Sequence, residues 1–300
     1  MGHYLIIDAH AHLWKEQNAV VDGQPIHALS PNRSRSMFFG EEVQMLPPFM
    51  IDGHNTAEVL LSNMDYAQVT AAVIVQEIID GNQDDYLIEV QKKHPDRFLC
   101  CGMIDGTKME MDNGNLSHFS AFAMPAHRIT KRPLTYYLPL FKQLEKNDKV
   151  LDICLADDER QIAEFDEIIQ ECPDLKIAIG HFGMVTTPSW KQQIMLARHK
   201  NVMIESGGIT WLYNSEFYPY PSAIRSIKEA ADMVGMDKLM WGSDYPRTIT
   251  AITYKMSYDF ICKTNEMTPN EKALFLGQNA ERFYGFQNLP DLPYIKNMSE

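Results

Sequence analysis

Two histidines spaced two apart, His10 and His12, follow an apolar run in the stretch Y-L-I-I-D-A-H-A-H-L-W that begins at Tyr4. In an extended strand, residues i and i+2 share a face, so both imidazoles are presented together a few ångströms apart. Two neutral ring nitrogens on one face suit a divalent metal, or hydrogen bonds aimed at one substrate atom. The apolar residues ahead of the pair argue against a terminal tag. Asp244 stands in W-G-S-D-Y-P-R, between an apolar strand and a proline that interrupts regular structure. It can act as a metal ligand, as a base that takes a proton from water, or as a turn aspartate ahead of a helix. His181, directly after Ile177-Ala178-Ile179-Gly180, is either a buried histidine bonded to backbone or a member of the same constellation.

Basic residues gather near these candidates. Arg247 lies three after Asp244, and His127, Arg128, Lys131 and Arg132 cluster further back. In an otherwise acidic protein, an arginine beside the site suits a carboxylate, which its guanidinium grips in bidentate fashion. Arg247, Arg128, Gln76 and Trp14 are the candidate substrate-binding residues, against the alternative of solvated loops and salt bridges. Glu205 and Asp105 are candidates to orient the histidines from behind.

These residues need elements to position them, and the chain supplies a regular alternation. Strands are expected within 4–14 and over 69–76, 98–103, 119–124, 150–155, 175–180, 202–204 and 239–241, separated mostly by helical patterns. One such helix places Ile162, Phe165, Ile168, Ile169 and Cys172 on a single face before Pro173 stops it. A last helix starts at Thr268 as N-cap, with Pro269 first in the helix and Glu271 three after the cap, and ends at Gly285. Eight strands alternating with helices predict a (β/α)₈ TIM barrel in one domain, 1–300. A dinucleotide fold would need G-x-G-x-x-G after the first strand, which is absent. His10, His12, Gln76, Asp105, His181, Glu205 and Asp244 all fall at C-terminal ends of expected strands, the rim on which barrel enzymes carry their chemistry. The connection 15–54, rich in proline and glycine, is expected to be a lid or substrate-contacting insert, and 286–300 a C-terminal tail.

Composition narrows the partners. A formal charge of −13 over 300 residues disfavours nucleic acid and anionic membranes, yet leaves room for a small anion held by a local arginine. No apolar run approaches the roughly 18 residues of a membrane span, and no leader pattern opens the sequence, so a cytoplasmic protein is expected. Met1-Gly2 lacks the Ser or Thr at position 6 that myristoylation wants. Five cysteines without C-x-x-C spacing indicate neither a disulfide framework nor a zinc ribbon.

D-A-H-A-H-L-W at the first strand, I-G-H-F-G at the sixth, W-G-S-D-Y-P-R at the eighth and G-Q-N-A-E-R-F-Y-G near the end together resemble the amidohydrolase superfamily. Within it they are similar to the amidohydrolase-related branch of 2-pyrone-4,6-dicarboxylate and sugar lactonases and of aminocarboxymuconate-semialdehyde-type decarboxylases. The resemblance implies catalytic roles for Asp244, His181, His10 and His12. It also implies one divalent metal, zinc, on His10, His12 and Asp244 with His181 as a further ligand, or metal-independent action. The fifth strand carries no histidine and the fourth no lysine at its end, which separates the chain from metal-dependent decarboxylases and from binuclear centres. The expected reaction is hydrolysis of a small carboxylated or polyhydroxylated lactone, with Asp244 as base and His181 with His10 or His12 polarising the carbonyl. Non-oxidative decarboxylation and a catalytically silent binding barrel are the alternatives, and a homodimer is the expected assembly.

Overall fold

The computed structural model describes residues 4–298; residues 1–3, Met1 and Gly2 among them, and the last two residues of the tail lie outside the described residues. Short runs of small and branched apolar residues form eight parallel strands. The first is β1 (Ile7–Ala11), after which an insert carries β2 (Asn18–Val21), β3 (Gln24–Ala28), β4 (Arg35–Phe38) and β5 (Glu41–Gln44). The other seven are β6 (Ala71–Ile74), β7 (Phe98–Met103), β8 (Ala121–Met124), β9 (Val150–Ile153), β10 (Lys176–Ile179), β11 (Val202–Glu205) and β12 (Leu239–Met240). Each of the eight pairs with the next in chain order, from β1–β6 round to β11–β12. Closure comes from backbone bonds: Ala9 N donates to Trp241 O at 2.9 Å, and Ala11 bridges Tyr245. The fold is a (β/α)₈ TIM barrel.

Alternation along the strands sorts the core into two layers. Ile7, Ala9, Ala71, Val73, Val75, Cys101, Ala121, Ala123, Ala178, Met203 and Met240 fill the barrel interior with mostly small side chains. The opposite faces, including Ala72, Ile74, Phe122, Leu151, Ile177 and Ile204, pack against the surrounding helices. The helix Glu159–Glu171 buries Ile162, Phe165, Ile168 and Ile169, with Cys172 at its end, each large side chain contributing about 1.5–3 kcal/mol. The last helical segment opens on Thr268 with the capping box to Glu271 in place and closes on Gly285 in the left-handed region. Tyr284 from this segment reaches into the barrel interior, where its hydroxyl donates to Asp152 at 2.8 Å.

The connection after β1 is more ordered than a lid loop, because β2 to β5 pair as a four-stranded antiparallel sheet. Two of its turns have two residues each, Asp22-Gly23 and Phe39-Gly40, all four at positive φ, which is the type I′ geometry whose twist matches paired strands. Val21 and Ile26 pack on Ile79 and fasten the sheet to the barrel rim. Shorter helices at Asn113–His118, Ile209–Leu212 and Met256–Lys263 complete the connections and carry too little periodic pattern to be read from sequence. Among the described residues no helix is long and apolar enough to cross a membrane.

Candidate active site

The register of β1 explains how its histidines reach the barrel mouth. Asp8 pairs with Ala72 and Ala11 with Ile74, so β1 carries one extra residue there, a β-bulge that changes which face the following side chains take. Ile7 and Ala9 fill the interior below the bulge, and His10 and His12 both enter it above. Asp8 turns outward and holds the bulge together. Its Oδ1 accepts from His10 N at 3.1 Å and Ser243 N at 2.8 Å, and its Oδ2 from Ser243 Oγ at 2.5 Å and Tyr254 OH at 2.6 Å. The carboxylate therefore ties the first strand to the segment that carries Asp244. Burial pushes Asp8 up to about 6 despite these four donors.

Three atoms converge above it. His10 Nε2 lies 3.1 Å from His12 Nε2, His12 Nε2 lies 3.0 Å from Asp244 Oδ1, and His10 Nε2 lies 3.8 Å from the same oxygen. The far nitrogens are engaged: His10 Nδ1 meets Glu205 Oε1 at 2.8 Å, and His12 Nδ1 meets the Val75 carbonyl at 3.1 Å. A carbonyl accepts only, so Nδ1 of His12 carries the proton and, in the neutral ring, Nε2 presents its lone pair; the Glu205 carboxylate assigns His10 the same tautomer. The centre thus gathers three acceptors with no donor among them, an arrangement that a cation satisfies. Nitrogen and oxygen ligands placed tetrahedrally about 2.0–2.1 Å from zinc sit about 3.3 Å from one another, within the span of these distances. The donor set fits one divalent metal.

Close approach around His10 depends on missing side chains. A Cβ on Gly207 would stand 2.8 Å from His10 Cγ, and one on Gly242 would stand 2.8 Å from His10 Cβ and 2.6 Å from Glu205 Oε2. Glu205, the last residue of β11, also accepts from His181 N at 2.9 Å and Gly207 N at 2.5 Å. Beneath it lies Asp152, also fully enclosed, and burial pushes Glu205 up to about 7 and Asp152 well above the ordinary carboxylate range. Burial likewise lowers His10 to about 3 and His181 to about 4, so both rings are neutral at pH 7. Asp244 behaves oppositely. Burial works against its charge, but the Arg247 guanidinium nearby helps hold it well below the usual range. Asp244 at φ 57° and His181 at φ 54° both occupy the left-handed region that side chains avoid, a local cost of about 1–3 kcal/mol each that clusters where function constrains the backbone.

A cavity of about 550 Å³ opens over this centre, lined on one side by His12, His181, Trp211, Asp244 and Arg247. Trp211 Nε1 donates to Asp244 Oδ2 at 2.7 Å. The His181 Nδ1 proton goes to the Gly207 carbonyl at 2.9 Å, which leaves Nε2 as an acceptor. Neutral His181 in this tautomer has no proton on Nε2 to give to a carbonyl oxygen, the role expected from the sequence. The insert contributes Phe38 and Met45 to the lining.

The remaining sequence candidates divide. Arg247 Nη2 donates to both oxygens of Asp80 at 2.9 and 3.0 Å, while its buried Nη1 has no hydrogen-bond partner. Arg128 Nε donates to Glu77 Oε2 at 2.6 Å. Gln76 is engaged with Asp84, the Cys101 carbonyl and Gln83 N, outside the cavity lining. Trp14 packs with Leu46 and Met50, its ring 5.9 Å from the Arg247 guanidinium. Lys131 pairs with Asp22 on the insert, Arg132 stacks on Tyr136, and Asp105 is an exposed turn residue bonded to Thr107. Sequence reasoning missed Asp8, Asp80 and Asp152. Asp152 left a signal, an acid inside the apolar run V-L-D-I-C-L.

Residues 7–286 match the amidohydrolase family. The chain belongs to that family. An uncharacterized protein of Sinorhizobium fredii is 25% identical over 191 residues, which cover 60% of this chain and 57% of that protein, so the match spans little more than half of the relative's length. A probable 2-pyrone-4,6-dicarboxylic acid hydrolase from Acinetobacter baumannii, solved with citric acid bound, superposes with a TM-score of 0.68 at 17% identity, over 94% of this chain and 99% of that one. A 5-carboxyvanillate decarboxylase from Novosphingobium aromaticivorans, solved with manganese and 4-hydroxy-3-methoxy-5-nitrobenzoic acid, gives 0.63 at 16% identity, over 94% and 96%. At these identities the likeness shows the shared barrel fold.

Proposed function

We propose that this amidohydrolase opens a small lactone that carries a carboxylate, with the reacting carbonyl placed over His10, His12 and Asp244. One observation carries the reading: three lone pairs from these residues converge, without a donor, at the floor of a largely apolar cavity. They would hold one divalent cation, with zinc suited to the donor set, and such an ion when bound polarises a carbonyl and makes water more acidic. Asp244, charged at neutral pH, takes a proton from the attacking water, and the bond from Trp211 fixes the rotation of its carboxylate. His181 Nε2 accepts the second hydrogen bond of that water and so aims its lone pair. As the water oxygen bonds to the carbonyl carbon and the ring C–O bond breaks, Asp244 returns the proton to the leaving oxygen. Arg247, which lines the cavity and has a buried Nη1 without a hydrogen-bond partner, would hold the substrate carboxylate.

Decarboxylation is the second reading, favoured by the apolar walls from Phe38, Met45, Ile79, Leu155 and Met184, since a carboxylate held in a dry pocket loses the hydration that stabilises it. A lactone panel read by mass spectrometry for ring-opened acid, run beside an assay for released carbon dioxide, separates the two. Ring opening that disappears in Asp244→Asn is the expected result. Carbon dioxide release without ring opening would overturn hydrolysis in favour of the second reading.

A further inference from the structure

Resting on the hydrolase reading only for where the substrate carboxylate sits, we infer that Gln17 positions Arg247 through Asp80, keeping one terminal guanidinium nitrogen free to receive that carboxylate. Gln17 stands just ahead of β2 and Ser36 lies on β4, both in the insert and both buried. Ser36 Oγ donates to Gln17 Oε1 at 2.6 Å, and Gln17 Nε2 donates to Asp80 Oδ1 at 3.1 Å. A carboxylate only accepts, so it is the amide nitrogen of Gln17 that faces Asp80. Asp80, buried as well, receives Arg247 Nη2 on both oxygens, at 2.9 and 3.0 Å. The segment that carries Asp80 has little room to shift. A Cβ at Gly81 would overlap the Asn18 carbonyl of the insert, and Ile79 packs on Val21 and Ile26.

The pairing of Asp80 with Arg247 draws on a single nitrogen. A carboxylate and a guanidinium that are free to turn favour two parallel bonds from two nitrogens. In this protein Nη2 alone serves both oxygens. Nη1, buried and without a hydrogen-bond partner among the described residues, lies 3.8 Å from Asp244 Oδ1, beside the reacting position. Gln17, by holding Oδ1, fixes the rotation of the Asp80 carboxylate and so withholds the forked pairing. With that amide removed, Asp80 is free to turn and take Nη1 as well. The anchor is then lost although Arg247 keeps its charge. Neither Gln17 nor Ser36 lines the cavity, whereas Arg247 does, so the insert acts on the ligand here only through Asp80 and Arg247.

Benzoate and benzamide test this, being one ring with a charged and an uncharged head of nearly the same shape. Titration calorimetry on the full chain as purified gives the ratio of their affinities. A cation at His10, His12 and Asp244 would favour benzoate in wild type and variant alike, so it is the change in the ratio that carries the inference. In Gln17→Met, checked for native circular dichroism, the preference for benzoate should fall by about tenfold, the scale of one charge-assisted hydrogen bond. Ser36→Ala, which loosens the same amide without removing it, should lower the ratio by about threefold, and it decides the question if Gln17→Met does not fold. In an Arg247→Met background, Gln17→Met should have no further effect on the ratio. An unchanged ratio in the folded variants, a further fall in the Arg247→Met background, or binding of neither ligand at millimolar concentration overturns the inference. Binding is read without turnover. A chain that opens no lactone yet shows the shift in ratio overturns the hydrolase reading and leaves this one standing.

Discussion

Asp8 shows how much of the site rests on a residue that touches no ligand. Its carboxylate collects four donors from His10, Ser243 and Tyr254, so Asp8→Ala leaves several buried polar groups without partners. We expect a loss of about 2–4 kcal/mol in urea unfolding, and a wild-type midpoint in the variant would contradict that role. His181 gives a pH signature. Its pKa falls from an ordinary 6.5 to about 4 on folding because burial disfavours the imidazolium, so the unfolded chain binds the extra proton. The resulting contribution to stability is complete above pH 6.5 and is lost as pH falls towards 4. Asp8, raised to about 6, acts in the opposite sense across much of the same window, so the comparison must be made between variants. The melting temperature of His181→Asn should change less steeply than that of the wild type between pH 6.5 and 4, and parallel curves would rule out a neutral buried imidazole. The four residues proposed for the chemistry, His10, His12, His181 and Asp244, could be singled out in the sequence because each follows an apolar run. Asp8 and Asp152 could not, because the partners that give them meaning, Ser243, Tyr254 and Tyr284, lie more than a hundred residues away.

The elements position these residues through small departures from regularity. A one-residue bulge in β1 decides that above Ala9 it is His10 and His12, rather than Ala11, that enter the barrel mouth. Gly242 then lets the end of β12 lie against His10, and Gly242→Ala would put a Cβ 2.8 Å from His10 Cβ and 3.1 Å from its backbone nitrogen. That crowding meets backbone, so the variant should lose both metal affinity and about 1–3 kcal/mol of stability, measured by metal titration and denaturant unfolding. Unchanged metal affinity would show that His10 does not need this approach. Strand order and helix faces were readable because period-2 and period-3.6 patterns are local. The insert reads from sequence as a lid without strands because its strands are only four or five residues long and mostly exposed. Its Asp22-Gly23 turn was the missed signal, and the consequence is functional, since the insert lends Phe38 and Met45 to the cavity.

At the scale of the whole molecule, the barrel is filled by small residues and closed below by the C-terminal segment. Tyr284 packs among them and donates to Asp152, whose pKa burial raises well above the ordinary range. Tyr284→Ala would leave both a void and an unsatisfied acid beneath the site, for an expected loss of about 3–5 kcal/mol by thermal or urea unfolding; a loss below about 1 kcal/mol would mean the tail is not part of the core. The central claim concerns the other end of the barrel, where three acceptors meet. Metal content by mass spectrometry measures it most directly, on untagged protein incubated with zinc and then passed through a desalting column. One equivalent per chain, lost in a His10→Ala, His12→Ala double variant that keeps its fold, is the predicted result. No retained metal in folded wild type, or equal retention in the variant, would contradict the account.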